Sequence, residues 1–200
     1  LQALADQFGV AIAGGDTNVW DGPLVISVTL TGSPSCGGPV LRSGARPGDW
    51  LFVTGPLGGS LGGRHLRVAP RVREARSLHE AVELHAMIDL SDGLSRDVRH
   101  ITVGQGVGCR LSGRAVPVHA DVDPSLSPRE RLAHALHDGE DFELLFAVSP
   151  EDGQRLLERP VLDFAAVHVG ECTTDPAECR LQDLDGAWIE LTPDGFEHRY

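Results

Sequence analysis

The sequence predicts an α+β fold with a mixed β-sheet flanked by helices. Three observations carry this. β-rich runs alternate with segments of helical spacing. A hairpin signal, Asp185-Gly186, sits among them, so the strands are not all joined by helical crossovers. The composition is globular, with 41% hydrophobic and 23% charged residues in a chain of 200, which is too apolar for disorder.

Taken in order, residues 1–8 place Leu1, Leu4, Ala5 and Phe8 at helical spacing. A short buried strand is expected at 10–13, ending at Gly14-Gly15, with Asp16 and Thr17 at its carboxyl end. The run LVISVTL at 24–30, bounded by Asp21-Gly22-Pro23 and Gly32, predicts a second strand. Residues 33–39, SPSCGGP, read as a loop. Arg46-Pro47-Gly48-Asp49 forms a turn before a strand at 50–54, and a glycine-rich loop at 55–63 leads into a helix. Pro70 starts a longer helix whose stripe is Val72, Ala75, Leu78, Val82 and His85. Met87-Ile88 enters the segment IDLSDGL, after which Leu94, Val98 and Ile101 are again helically spaced.

A helix is expected over 127–137. Ser127 caps it, Pro128 takes the first helical position, Glu130 completes a capping box and Gly139 stops it. FELLFAV at 142–148 is a strand, and Ser149-Pro150-Glu151 opens a short helix. Residues 161–170 include a strand, and another follows the Asp185-Gly186 turn at 188–191. The sequence shows no internal repeat and no low-complexity tract.

Composition removes several function classes. All 17 basic side chains are arginine; lysine is absent. That excludes a Walker A loop, a protein-kinase strand lysine and Schiff-base chemistry, each of which needs an ammonium group. The net charge of −12 leaves no basic footprint for nucleic acid. No stretch approaches the ~18 apolar residues of a membrane span. The start, LQALADQFGV, has no basic region of the signal-peptide kind. Cysteines at 36, 109, 172 and 179 form no CxxC pair, so a structural zinc site is not expected. They read as reduced, packed thiols in a cytoplasmic protein. Asp outnumbers Glu, 17 to 12. Such a chain, if it handled phosphates, would need metal ions to offset its own charge.

Three acidic clusters stand at the ends of elements beside glycine: Gly14-Gly15-Asp16-Thr17, Asp89-Leu90-Ser91-Asp92-Gly93 and Asp138-Gly139-Glu140-Asp141. Two readings stand. Carboxylates next to hydroxyls are hard oxygen ligands suited to magnesium carrying phosphates. Asp beside Gly is also the ordinary chemistry of turns and helix caps. The loop TGPLGGSLGG lacks GK[ST], so it reads as strand–helix packing and not as a phosphate loop. Arg42 has the donor fork that suits a nucleotide phosphate, although a lone arginine is ordinarily solvated. Phe196 reads as core by residue type.

In this order and spacing, GGDT, RSGARPGD, IDLSDGL and GEDFEL, followed by DGFEHRY, resemble the thiamine-monophosphate kinases of the AIR-synthase-like superfamily. AIR synthase, selenophosphate synthetase and a hydrogenase-maturation protein share that fold but not the whole set of motifs. The resemblance implies phosphoryl transfer from ATP onto thiamine monophosphate, with several Mg2+ ions, no phosphoenzyme and a homodimeric, cytoplasmic enzyme. It implies ATP contacts at Gly15, Asp16, Arg42 and Ser91. Asp16, Asp89 and Asp92 would be metal ligands, and Glu140 and Phe196 would contact thiamine phosphate. Asp138 departs from the family's GGED pattern. The family also carries a longer segment ahead of GGDT. Residues 1–32 are therefore expected to be the end of an amino-terminal ATP and magnesium domain, 33–42 a linker, and 43–200 the carboxyl-terminal domain. Two alternatives remain at this point: another ATP-dependent enzyme of the superfamily, and a non-catalytic nucleotide- or partner-binding domain.

Overall fold

The structure is a computed structural model that describes residues 1–34, 37–158, 164 and 166–195. The chain divides into two compact units, Leu1–Ser33 and Pro34–Tyr200.

In the first unit helix α1 (Gln2–Phe8) forms as expected and ends at Gly9 in the left-handed region, φ 64°. The two strands expected at 10–13 and 24–30 do not form; residues 10–33 have no regular secondary structure. β-rich composition describes a good fit to a sheet, and a strand also needs a neighbour to take its backbone groups. Those segments have no such neighbour among the described residues. Their apolar side chains stand in solvent: Ile12, Val25, Val28 and Leu30 are each more than half exposed. Exposed apolar runs of this kind recruit other chains. The isolated chain is expected to self-associate at high concentration, and light scattering that showed a clean monomer would refute this.

The second unit holds one seven-stranded sheet. Its strands are β1 (Trp50–Val53), β2 (Leu84–Asp89), β3 (Gly108–Ser112), β4 (Leu144–Val148), β5 (Val167–Thr173), β6 (Cys179–Gln182) and β7 (Trp188–Glu190). They lie in the order β2-β4-β1-β5-β3-β6-β7, antiparallel throughout except for the parallel pair β3–β6. Four helices flank it: α2 (Val72–Ala81), α3 (Leu94–Thr102), α4 (Pro128–His137) and α5 (Pro150–Glu158). The predicted α+β class with a mixed sheet is what forms.

Period-two alternation splits the core in two. Leu51 and Val53 of β1 and Leu145 and Ala147 of β4 pack with Leu94, Val98 and Ile101 of α3 and Leu132 and Leu136 of α4. Phe52, Phe146 and Val148 face the other way, toward Leu78 of α2 and Leu156 of α5. The Phe52 and Phe146 rings stack with centroids 5.5 Å apart.

The start of α4 follows its sequence chemistry. Ser127 Oγ accepts the Glu130 N–H, and Glu130 Oε2 accepts the Ser127 N–H at 2.8 Å. Other expectations need correction. The glycine loop leads into two short 3₁₀ turns, Ser60–Gly62 and Arg64–Arg67, because Gly58, Gly59 and Gly63 sit at positive φ. The stripe ending in Val82 and His85 is not one helix: α2 stops at Ala81, Val82 is extended, and His85 belongs to β2. Strands β3 and β6 had no counterpart in the sequence reading.

Candidate active site

β2 ends at Asp89, opposite Leu144 of β4. The chain then passes through residues 90–93 into α3, and this connection is zipped to the loop between α4 and β4. Leu90 N–H donates to Glu143 O, Phe142 N–H to Leu90 O and Glu140 N–H to Ser91 O, each at 2.8 Å. A Cβ on Gly139 would lie 2.7 Å from Ser91 O, so this close approach requires glycine. Glu140 and Phe142 adopt positive φ, 55° and 51°, the only non-glycine residues to do so among the described ones. Backbone in that region is strained for L residues, and such strain gathers at functional sites.

The carboxyl-terminal segment reaches the same place. Arg99 donates to Leu191 O at 2.6 Å and Arg96 to Pro193 O at 3.4 Å. A Cβ on Gly195 would sit 2.0 Å from Asp92 O. Asp89, Ser91, Asp92 and Glu140 are therefore brought to one pair of loops, with Gly195 against them. Phe196, the next residue, lies outside the described residues. Gly15 and Asp16 belong to the other unit, where the Asp16 carboxylate accepts Thr17 N–H and Asn18 Nδ2, both at 2.9 Å. Arg42 is exposed beside the β2 edge: its neighbour Leu41 accepts the Met87 N–H through its carbonyl.

Sequence reasoning missed Asp97. This residue of α3 is 1% exposed, and its Oδ2 accepts the Asp92 N–H at 3.0 Å. Burial pushes its carboxyl up to about 6, and the Asp92 and Asp89 charges push the same way against hydrogen bonds from Asp92 and Ser91. Ligand atoms of Asp92, Asp97 and His100 lie within 4.8 Å of one another. No ion pair reaches Asp89, Asp92, Asp97 or Glu140 among the described residues. Carboxylates gathered without a cation repel one another, and hard oxygen donors of this kind fit Mg2+.

The third acidic cluster behaves differently. Gly58 N–H donates to both Asp141 oxygens, at 3.0 and 3.1 Å, and Gly59 N–H donates to Asp138 Oδ2 at 2.7 Å. Ser60 Oγ donates to Gly139 O, and Arg64 pairs with Asp141 at 2.9 Å. The Gly58 and Gly59 N–H groups of the glycine loop thus serve the protein's own carboxylates. Asp138, the departure from GGED, anchors that loop.

Burial holds the Asp141 carboxyl up at about 6, despite Arg64 and Gly58. The folded state therefore keeps this proton more tightly than the unfolded chain, whose Asp titrates near 3.9. Asp141 contributes stability that is full below about pH 4 and is lost as pH rises through about 6. Urea midpoints between pH 4 and 7 should show this slope together with that of Asp97, raised to about 6 in the same way, and Asp141→Asn should remove the Asp141 share. An equal slope in the variant would assign it to other groups.

No protein-family model matches the chain. A thiamine-monophosphate kinase of Rhodopirellula baltica is 49% identical over 150 residues, covering 74% of this chain and 47% of that protein. The Escherichia coli thiamine-monophosphate kinase is 32% identical over 224 residues, covering 98% of this chain and 65% of that protein. Among solved structures, AaThiL complexed with AMPPCP and TMP matches with TM-score 0.64 at 26% identity, covering 80% of this chain and 54% of that one. The sheet and its flanking helices define a fold of the AIR-synthase-like class. By sequence the chain belongs to the thiamine-monophosphate kinase family. It spans about half to two thirds of the length of the curated relatives it matches.

Proposed function

We propose that the chain serves ATP-dependent phosphorylation of thiamine monophosphate to thiamine diphosphate. One observation carries this reading: the zipped loops present Asp89, Ser91, Asp92 and Glu140 together, with no basic side chain paired to those carboxylates among the described residues. A phosphate site without local cations must draw them from solution. Asp89 and Asp92 would hold Mg2+, and Asp16 would be a metal ligand of its own unit. When bound, Mg2+ offsets phosphate charge and polarises the transferring group. The chain's own residues bind and orient. The Ser91 hydroxyl offers a hydrogen bond to a phosphate oxygen. Arg42, with no hydrogen bond or ion pair among the described residues, offers its donor fork to the nucleotide. Gly15, in the first unit, would let the backbone approach a nucleotide closely. Glu140, an anion, meets the cationic part of thiamine, and Phe196 offers a ring face to it.

In this reading residues 1–32 belong to an amino-terminal ATP and magnesium domain, 33–42 link it, and 43–200 form the carboxyl-terminal domain. The enzyme works as a cytoplasmic homodimer. No described helix is long and apolar enough to cross a membrane, and three buried cysteines are free.

Steady-state kinetics on the gene product as encoded provides the test. Glu140→Gln and Phe196→Ala are expected to raise the KM for thiamine monophosphate and leave that for ATP in place. If both constants move together, the two residues are structural and the substrate assignment fails locally.

A further inference from the structure

Three neighbouring strands each carry a cysteine at one level. Cys109 of β3 stands opposite Cys172 of β5 and opposite Cys179 of β6, and all three side chains lie in the core on the α3 side of the sheet. None takes part in the acidic site. The Cys109 and Cys179 sulfurs are 3.4 Å apart, a contact that Cys172 does not share among the described residues. We propose that Cys109 and Cys179 are a redox modification site, at which hydrogen peroxide joins β3 to β6 through a reversible disulfide.

The geometry needs little rearrangement. The two residues are in register on adjacent strands, which run ~4.8 Å apart. That lies inside the ~4.4–6.8 Å between Cα atoms that a disulfide spans. Both side chains point to one face, so rotation about the side-chain bonds brings the sulfurs to bonding distance.

The chemistry assigns different roles to the two thiols. The hydrogen bond shared with Cys109, and the positive charge of Arg99 nearby, hold the Cys179 thiol below its ordinary pKa. The same hydrogen bond, with burial, holds Cys109 above its own. Cys179 is also the less buried of the two, at 9% exposed against none for Cys109. Its thiolate attacks one peroxide oxygen; the O–O bond breaks, the sulfur becomes a sulfenic acid and the other oxygen leaves as water after taking a proton. Cys109 sulfur then attacks the sulfenic sulfur, the S–O bond breaks and a second water departs with the remaining proton. Two thiols and one peroxide give one disulfide and two waters.

The experiment treats the native chain with peroxide, alkylates the remaining thiols and maps the non-reduced digest by mass spectrometry. The expected product is one peptide pair joining Cys109 to Cys179, two hydrogens lighter than the reduced pair and restored by a thiol reductant. Cys172→Ser should retain the bridge, and Cys179→Ser should leave Cys109 free for alkylation. The proposal is overturned if Cys179 passes to sulfinic acid while Cys109 stays alkylatable. It is equally overturned if Cys172 or Cys36 supplies the partner, or if the native chain resists peroxide that oxidises the unfolded chain.

Discussion

Replacing Asp89 or Asp92 by Asn is expected to lower turnover of the gene product at least about tenfold, with ATP, Mg2+ and thiamine monophosphate present. Tenfold corresponds to about 1.4 kcal/mol in the barrier. The substitution keeps shape and removes one negative charge from a group that has no basic partner in the described structure. A carboxylate serving only as a turn or cap residue would lose stability and leave turnover alone. Measuring turnover across a magnesium titration separates the two. A metal ligand loses turnover even at saturating magnesium or shifts the titration upward. Unchanged curves for both variants, with lowered melting temperatures, would make Asp89 and Asp92 structural residues.

The largest effect on stability is expected at Glu143. Its side chain is 3% exposed and accepts from Thr54 Oγ1 at 2.7 Å and from Arg71 Nε at 2.8 Å, with a second Arg71 contact at Oε1. It is the main cause of the raised Arg71 pKa. Gly55 leaves room for it, since a Cβ there would lie 2.7 Å from the carboxylate carbon. Glu143→Ala leaves both donors without their acceptor, an unpairing that costs about 3 kcal/mol. Glu74, on the same arginine but more exposed, should cost under about 1 kcal/mol when truncated. Urea unfolding of the two variants ranks them, and equal small losses would show that Arg71 and Thr54 re-pair readily with water.

The sequence made some elements plain and hid others for physical reasons. The cap of α4 was legible because Ser127, Pro128 and Glu130 act within one turn. Strand β3 was hidden because it opens on Gly108, whose missing side chain makes room for Asp175 and Glu178 carbonyls that only the fold brings near. The strands expected in residues 10–33 had the right composition and no partner to pair with. In the site, acidic motifs marked Asp89, Asp92 and Glu140, but not the zip between their loops, which joins positions about fifty residues apart in sequence. Nor did they show that Asp138 and Asp141 serve the glycine loop. Asp97 was detectable in principle. It falls between Leu94 and Val98 on the apolar stripe of α3, and a charge on a buried stripe calls for a reason.

The left-handed backbone at Glu140 bears on any attempt to toughen this domain. An L side chain in that conformation costs on the order of 1 kcal/mol relative to glycine. A heat-tolerance screen that scored only folding would therefore favour glycine at position 140. The winner would be a sturdier scaffold with its proposed grip on thiamine removed. Melting temperature alone is thus the wrong selection at this loop. Substrate binding has to be scored with it, since a residue strained in this way is also one proposed to do recognition.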